Sequence, residues 1–325
     1  MYGLAPNACR RMLEVHPRGR WGRQSMHEAI QPNGEIPVMR APLVIAAFWG
    51  WSDGSGTAMG ASRYLRDVWG ATEIASVDAD RFYDLTVARP RIRRENGEPI
   101  VRWPGTRFHF ATPPGSERDV VVLAGREPSL RWKEYADALA DFMQTVGAKH
   151  FLALGSRPTE VPHTRPAPIQ LGDADPYFEQ LFGRTSEPSS YEGPTGIQTV
   201  LMLHLRSLGY STARLTALVP GYLNVGPSPR AVMSLAEELD RALGSHTPLQ
   251  LLEDEIAPFE RRVETVTGQM DDPGMMHTQL QQLEDKYDSD AAEAVELPSS
   301  SELLEGIEAL LRRSRTEDGN ESSAR

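Results

Sequence analysis

The sequence predicts an α/β protein built on a mostly parallel sheet with helices on both faces, followed by a helical extension. Three observations predict it. Four short apolar runs lie along the first 250 residues, each bounded by turn residues. Segments with apolar residues at helical spacing follow them. Beyond Gly244 the pattern becomes purely helical.

The first run is Leu43-Val44-Ile45-Ala46-Ala47-Phe48, continuous as in a strand buried on both faces. Ala58, Ala61, Ser62, Leu65, Val68 and Trp69 then recur at helical spacing and are closed by Gly70. The second unit is Val120-Val121-Val122-Leu123-Ala124, followed by a helix whose inner face is Trp132, Tyr135, Ala136, Leu139, Met143 and Val146. Phe151-Leu152-Ala153-Leu154 and Leu215-Thr216-Ala217-Leu218-Val219 supply the third and fourth runs. Their helices carry Ile197, Val200, Leu201, His204 and Leu208, and then Val232, Leu235, Ala236, Leu239 and Leu243. Between the first two units, residues 86–111 read differently. Arg91 to Arg94, a turn at Glu95-Asn96-Gly97-Glu98, and Ile100 to Trp103 form an inserted β-hairpin.

After Gly244, Leu249, Leu252, Ile256, Phe259, Val263, Val266 and Met270 alternate spacings of three and four, the seam of a helical hairpin or coiled coil. Pro258 predicts a kink or restart. A second helix is expected over about residues 276–287, and a third from the capping-box spacing at Ser299-Ser300-Ser301-Glu302. The resulting division is a flexible leader over 1–40, an α/β core over 41–246, an acidic helical extension over 247–315 and a disordered tail over 316–325. A chain ending after Gly244 is expected to stay folded.

Charge follows the same division. The net charge is −11, and residues 249–325 hold 19 acids against 7 bases, so the remainder is close to neutral. An acidic surface repels phosphate backbones, which excludes nucleic acid as the natural partner. Cys9 is the single cysteine, so a disulfide framework and a cysteine metal site are excluded and a reducing cytoplasm fits. No run of eighteen apolar residues spans a membrane, and the Arg-rich N-terminus lacks the apolar stretch of a secretory signal.

Candidate site residues cluster where strands end. Asp53, Gly54 and the glycines that follow lie between a strand and a helix, which resembles a dinucleotide fingerprint. The glycine spacing is off by one, and Asp53 would repel a pyrophosphate while capping the helix. Glu192, Gly193, Thr195 and Gly196 precede the helix from Ile197. Thr195 can cap it, and backbone N–H groups there can face an anion or hydroxyl. His163, Thr164 and Arg165, fixed between Pro162 and Pro166, place an imidazole beside a guanidinium after the third strand. Glu127 follows the second strand and reads as a general base or as half of an ion pair. His204 reads as a hydrogen-bonded core histidine. There is no Walker loop, G-x-S-x-G elbow, H-E-x-x-H or C-x-x-C, and no local nucleophile–base pair. No catalytic residue, metal site or cofactor is assigned.

An ordered set of segments goes further. Phe48-Trp49-Gly50-Trp51-Ser52-Asp53, Phe82-Tyr83-Asp84, Arg89-Pro90, Trp103-Pro104, Gly125-Arg126-Glu127-Pro128, Val161-Pro162-His163-Thr164-Arg165-Pro166 and Tyr191-Glu192-Gly193-Pro194-Thr195-Gly196 occur in this order. Together they resemble the actinobacterial branch of the proteasome-assembly-chaperone-2 family over about residues 42–244 plus its helical extension. The resemblance implies a three-layer α/β/α core similar to nucleoside phosphorylases and no established enzymatic activity. It also implies a homo-oligomer, with a trimer as the first order to test, and a protein partner related to the proteasome. Eukaryotic relatives help assemble the proteasome α-ring. Relatives that dock by a tail end in a hydrophobic-Tyr-X sequence, whereas this chain ends Ser323-Ala324-Arg325, which does not support tail docking.

Two functions follow. The leading one is a non-catalytic interaction or assembly protein. The alternative is a nucleoside-phosphorylase-like enzyme or ligand sensor, which requires Asp53, Glu127, His163, Arg165 and residues 192–196 to line one cleft.

Overall fold

The computed structural model describes residues 26–186, 189–223, 225–269 and 273–296. The third expected helix, the disordered tail and most of the leader lie outside the described residues.

In chain order the elements begin with β1 (Ile30–Pro32), β2 (Leu43–Trp49), α1 (Thr57–Val68), β3 (Thr72–Val77) and α2 (Ala79–Phe82). Next come β4 (Arg91–Glu95), β5 (Glu98–Arg102), β6 (Thr106–Ala111), β7 (Val120–Arg126) and α3 (Trp132–Val146). They continue with β8 (His150–Thr159), β9 (Ile169–Gly172), α4 (Pro176–Phe182), α5 (Ile197–Ser207) and β10 (Ser211–Pro220). The last three are α6 (Pro229–Leu243), α7 (Gln250–Thr267) and α8 (Pro273–Glu296).

Eight strands form one sheet in the order β1-β3-β6-β7-β2-β8-β10-β9. The four central strands, β7, β2, β8 and β10, pair in parallel. Antiparallel pairings flank them, and β3 shares the direction of the central four, so five of eight strands run one way.

Strand alternation divides the interior into two cores. Val44, Ala46 and Phe48 of β2 face Tyr135, Leu139 and Phe142 of α3 and Ile197 and Leu201 of α5. Leu43, Ile45 and Ala47 face the other way, onto Leu65 of α1 and Leu235 and Leu239 of α6. A strand apolar on both faces needs helices on both faces, which is why the parallel runs were legible. The result is the α/β/α sandwich that the sequence predicts.

The inserted hairpin is present as a separate two-stranded sheet, β4 with β5, in which Ile92 pairs with Val101. Asn96 and Gly97 have φ of 52° and 89°, the positive values that a tight two-residue turn requires. The rest of the 86–111 segment returns to the main sheet as β6.

Three findings differ from the sequence-based division. Part of the expected leader is structural: β1 pairs with β3, and Ala29 and Ile30 are buried. Secondly, α7 runs on through Pro258 as one helix. Finally, α7 packs on α6, burying Leu252, Phe259 and Val263, and Arg230 of α6 pairs with Glu260 at 2.9 Å. The connection from α6 to α7 is tied to α1 by Trp69 Nε1 donating to Thr247 at 3.0 Å and Tyr64 donating to Pro248 at 2.6 Å.

Candidate functional site

The C-terminal ends of β2, β7 and β8 are where an open α/β sheet receives a ligand. Here the chain fills that place itself. Asp53 is buried, and its two carboxylate oxygens accept the N–H groups of Ala58 and Met59, both at 2.9 Å. The Ser156 hydroxyl donates to the same carboxylate at 2.6 Å. Asp53 thus caps the first-turn N–H groups of α1, whose N-cap position is Gly56, and its carboxylate is engaged by that backbone and by Ser156. Gly54 beside it is exposed, with open space around it.

Glu127 does the same for α5. Its Oε1 accepts the Ile197 N–H at the helix start, and Oε2 accepts the Trp51 N–H at 3.2 Å. Gly50 and Gly196 make room for it. A Cβ at Gly50 would lie 2.5 Å from Oε2, and one at Gly196 would lie 3.0 Å from Oε1. The anion drawn to this helix N-terminus is thus a carboxylate from a neighbouring strand end. The cap expected from Thr195 is absent: the N-cap is Gly196, with no side-chain cap bond, and Thr195 and Glu192 are exposed. Tyr191 folds over Gly193 and donates to the Pro194 carbonyl at 2.9 Å.

A buried hydroxyl network holds the Glu127 segment. Tyr83 donates to the Arg126 carbonyl at 2.8 Å and lies 3.0 Å from the Thr106 hydroxyl, to which Tyr135 donates at 2.6 Å. Burial raises the pKa of both phenols far above the usual value, so they stay protonated and act as permanent donors.

The third group lies on the loop after β8 and turns elsewhere. His163 is buried, with Nδ1 2.8 Å from the Tyr222 hydroxyl. Burial lowers its pKa, against the opposing pull of Glu260 and Glu284. The Tyr222 phenol is pushed up to about 12, chiefly by burial. Arg165 grips both Asp288 oxygens through Nε and Nη2 at 2.9 and 2.8 Å and reaches Glu284, which also accepts the Thr164 hydroxyl. Asp288 is held below the usual carboxylate range by that hydrogen bond.

The ten candidate residues therefore divide. Asp53, Glu127 and Gly196 meet around Trp51 and Ser52, while His163, Thr164 and Arg165 make their contacts with Tyr222 and α8. His204, expected in the core, is partly exposed beside Asp137 at 3.2 Å. Among the described residues no group of three metal-ligating side chains exists, and no helix is long and apolar enough to cross a membrane.

Sequence reasoning passed over the roles of Gln198 and of the surface aromatics. Gln198 is fully buried and donates to the Leu154 carbonyl at 2.6 Å, tying α5 to β8. Trp49, Trp51 and Tyr191 are 48%, 66% and 63% exposed, and Trp51 donates its backbone N–H to the carboxylate that closes the ligand position. Exposed tryptophan flanking a strand end was the signal available for them.

The PAC2 family model matches residues 47–267. A PAC2 family protein from Streptomyces avermitilis superposes with a TM-score of 0.63 at 31% identity, covering 69% of this chain and 95% of that one. A Mycobacterium tuberculosis proteasome-assembly chaperone homologue gives 0.63 at 32% identity, covering 74% and 99%. The Pyrococcus furiosus archaeal proteasome activator PbaB shares the fold, with a TM-score of 0.55 at 16% identity over 73% and 97% of the two chains. No curated protein matches the chain. The family match runs from β2 through α7, and two actinobacterial structures of over 30% identity are covered almost end to end. The chain belongs to the PAC2 family.

Proposed function

We propose that this protein is a non-catalytic interaction or assembly protein, acting in the cytoplasm on a proteasome-related protein partner. One observation carries the reading: the carboxylate of Glu127 occupies the helix N-terminus that a small anionic ligand would need, while Trp49, Trp51 and Tyr191 beside it stay exposed. Exposed tryptophan and tyrosine around a rigid, closed edge suit protein recognition, where such side chains supply most of the binding energy. The nucleoside-phosphorylase-like alternative loses its main support, because its five elements face two different surroundings. The Mycobacterium tuberculosis relative, a proteasome-assembly chaperone homologue, names the class of partner to test.

Self-association is the second part of the proposal, with a trimer as the order that the family resemblance implies. A lone two-stranded hairpin is marginally stable in water. Here β4 and β5 leave Ile92 and Val101 75% and 51% exposed on one face, as a contact between copies would use them.

The test is binding of tagged full-length chain to purified proteasome α subunits from its own source organism. Binding should weaken at least about tenfold in a Trp51→Ala, Tyr191→Ala double variant. Equal binding by that variant would displace the surface, and no binding by the wild type would remove the proteasome-related partner. Light scattering on the wild type and on Ile92→Arg decides self-association separately: a monomeric wild type sinks it.

A further inference from the structure

A cavity of about 380 Å³ lies between the loop after β8 and the helices α7 and α8, and none of the residues around Glu127 lines it. Val263, Met276 and Leu280 give it an apolar wall, and His163, Glu260 and Glu264 give it polar positions. Its size falls in the range of small-ligand pockets, roughly 300–1,000 Å³.

Two features of this cavity are unspent. The first is the His163 ring, on a side chain only 7% exposed. The Tyr222 oxygen accepts the His163 backbone N–H at 3.1 Å and lies 2.8 Å from Nδ1. With that hydroxyl as the hydrogen-bond donor to Nδ1, the ring proton lies on Nε2. Nε2 has no partner among the described residues, and His163 lines the cavity. The second feature is charge. Glu260 is matched by Arg230 at 2.9 Å and Glu284 by Arg165 at 3.4 Å. Glu264 has no cation at ion-pair distance among the described residues. An unspent donor, an uncompensated carboxylate and an apolar wall together describe a ligand with an acceptor oxygen, a cationic group and an apolar branch.

We propose that this cavity binds an α-ammonium group carried beside a carbonyl and an apolar side chain. The ammonium would pair with Glu264, the carbonyl would accept from His163 Nε2–H, and the side chain would lie on Val263, Met276 and Leu280. A small amino-acid amide and the free N-terminus of a peptide share this chemistry. The proposal goes beyond the aromatic interaction surface and stands or falls without it.

The test titrates the full-length chain with L-leucinamide, N-acetyl-L-leucinamide, isopentylamine and Leu-Gly-Gly. Leucinamide should bind saturably. Acetylation, which removes the charge, and loss of the carbonyl in isopentylamine should each weaken binding by about tenfold or more. Glu264→Gln should cause the same loss with an unchanged unfolding curve, because Glu264 is exposed. The His163 imidazole ¹⁵N signal should move on adding leucinamide, a response that general stabilisation does not produce. Tighter binding of Leu-Gly-Gly than of leucinamide identifies a peptide N-terminus as the ligand, and weaker binding identifies a small amide. The proposal is overturned if no compound saturates, if N-acetyl-leucinamide binds as well as leucinamide, or if Glu264→Gln binds like the wild type.

Discussion

The carboxylate of Glu127 accepts the backbone N–H of Ile197, so a residue 70 positions earlier closes the N-terminus of α5. This cap crosses from the end of β7 to a helix on the adjoining layer. Glu127→Ala should therefore destabilise the protein by about 1–2 kcal/mol, the upper range for loss of a helix cap, with Glu127→Gln intermediate. Urea unfolding of the two variants checks this. A loss no larger than that of an average exposed glutamate would show that the cap is dispensable.

Stability should fall as pH drops below about 6.5, with His150 responsible for part of the slope. Its imidazole is pushed down to about 4 from a usual 6.5, first by burial and then by Arg118 and Lys149. Its ring stacks on Tyr177 with centroids 3.5 Å apart. A depressed folded pKa means that the unfolded chain takes up the proton first. The contribution is thus fully present above 6.5 and is lost as pH falls towards about 4. His150→Asn should flatten the profile between those values, and an unchanged slope would assign it to other groups.

The chain should tolerate loss of α8 but not of α7. A chain ending after Gly268 keeps Leu252, Phe259 and Val263 in place, whereas one ending after Gly244 strips them from α6. The shorter chain should unfold at much lower denaturant concentration. Phe259→Ala alone should cost about 3–5 kcal/mol, as for a buried aromatic. Matching midpoints for the two truncations would restore the boundary expected at Gly244.

Arg165 should fasten α8 to the loop after β8 in a salt-dependent way. Arg165→Ala, or high salt on the wild type, should speed amide exchange around residues 284–288 while leaving β2 and β8 protected. Asp288 is more than half exposed and Arg165 about a third, so solvent screens the pair and the global unfolding midpoint should barely move. Uniform exchange changes across the chain would contradict a local fastening.

The parallel strands β2, β7 and β8 were legible because each is apolar on both faces, a property written in consecutive residues such as Val120-Val121-Val122, and β10 was legible by its apolar alternation at Leu215, Ala217 and Val219. The flanking strands were not. Thr72–Val77 and Thr106–Ala111 are antiparallel with partly exposed faces, and Ile30–Pro32 is too short to show a period. Candidate site residues were chosen by position at strand ends, and the structure places Asp53 and Glu127 there as acceptors for the first N–H groups of α1 and α5. Their assignment failed where local rules met distant partners. Thr195 has the right chemistry for a cap, but Glu127 brings a full charge to the same N–H groups. Nothing in the spacing of Thr164 and Arg165 could reveal that Glu284 and Asp288, more than a hundred residues later, take up their hydrogen bonds.

Gly50, Glu127 and Gly196 form an epistatic unit. A methyl group at either glycine would collide with the glutamate carboxylate, as close as 2.5 Å at Gly50. Shortening the glutamate would give back the space at Gly196 but open the helix end, and at Gly50 the residue 127 Cβ would still lie 2.9 Å away. Substitutions at these positions are therefore non-additive: an alanine at Gly196 should be harmful beside glutamate yet milder beside aspartate or serine at 127, whereas an alanine at Gly50 should stay harmful beside any of them. Mutational drift can leave this arrangement only by coordinated steps, so this corner of the sheet edge should accept changes more slowly than the exposed tryptophans around it.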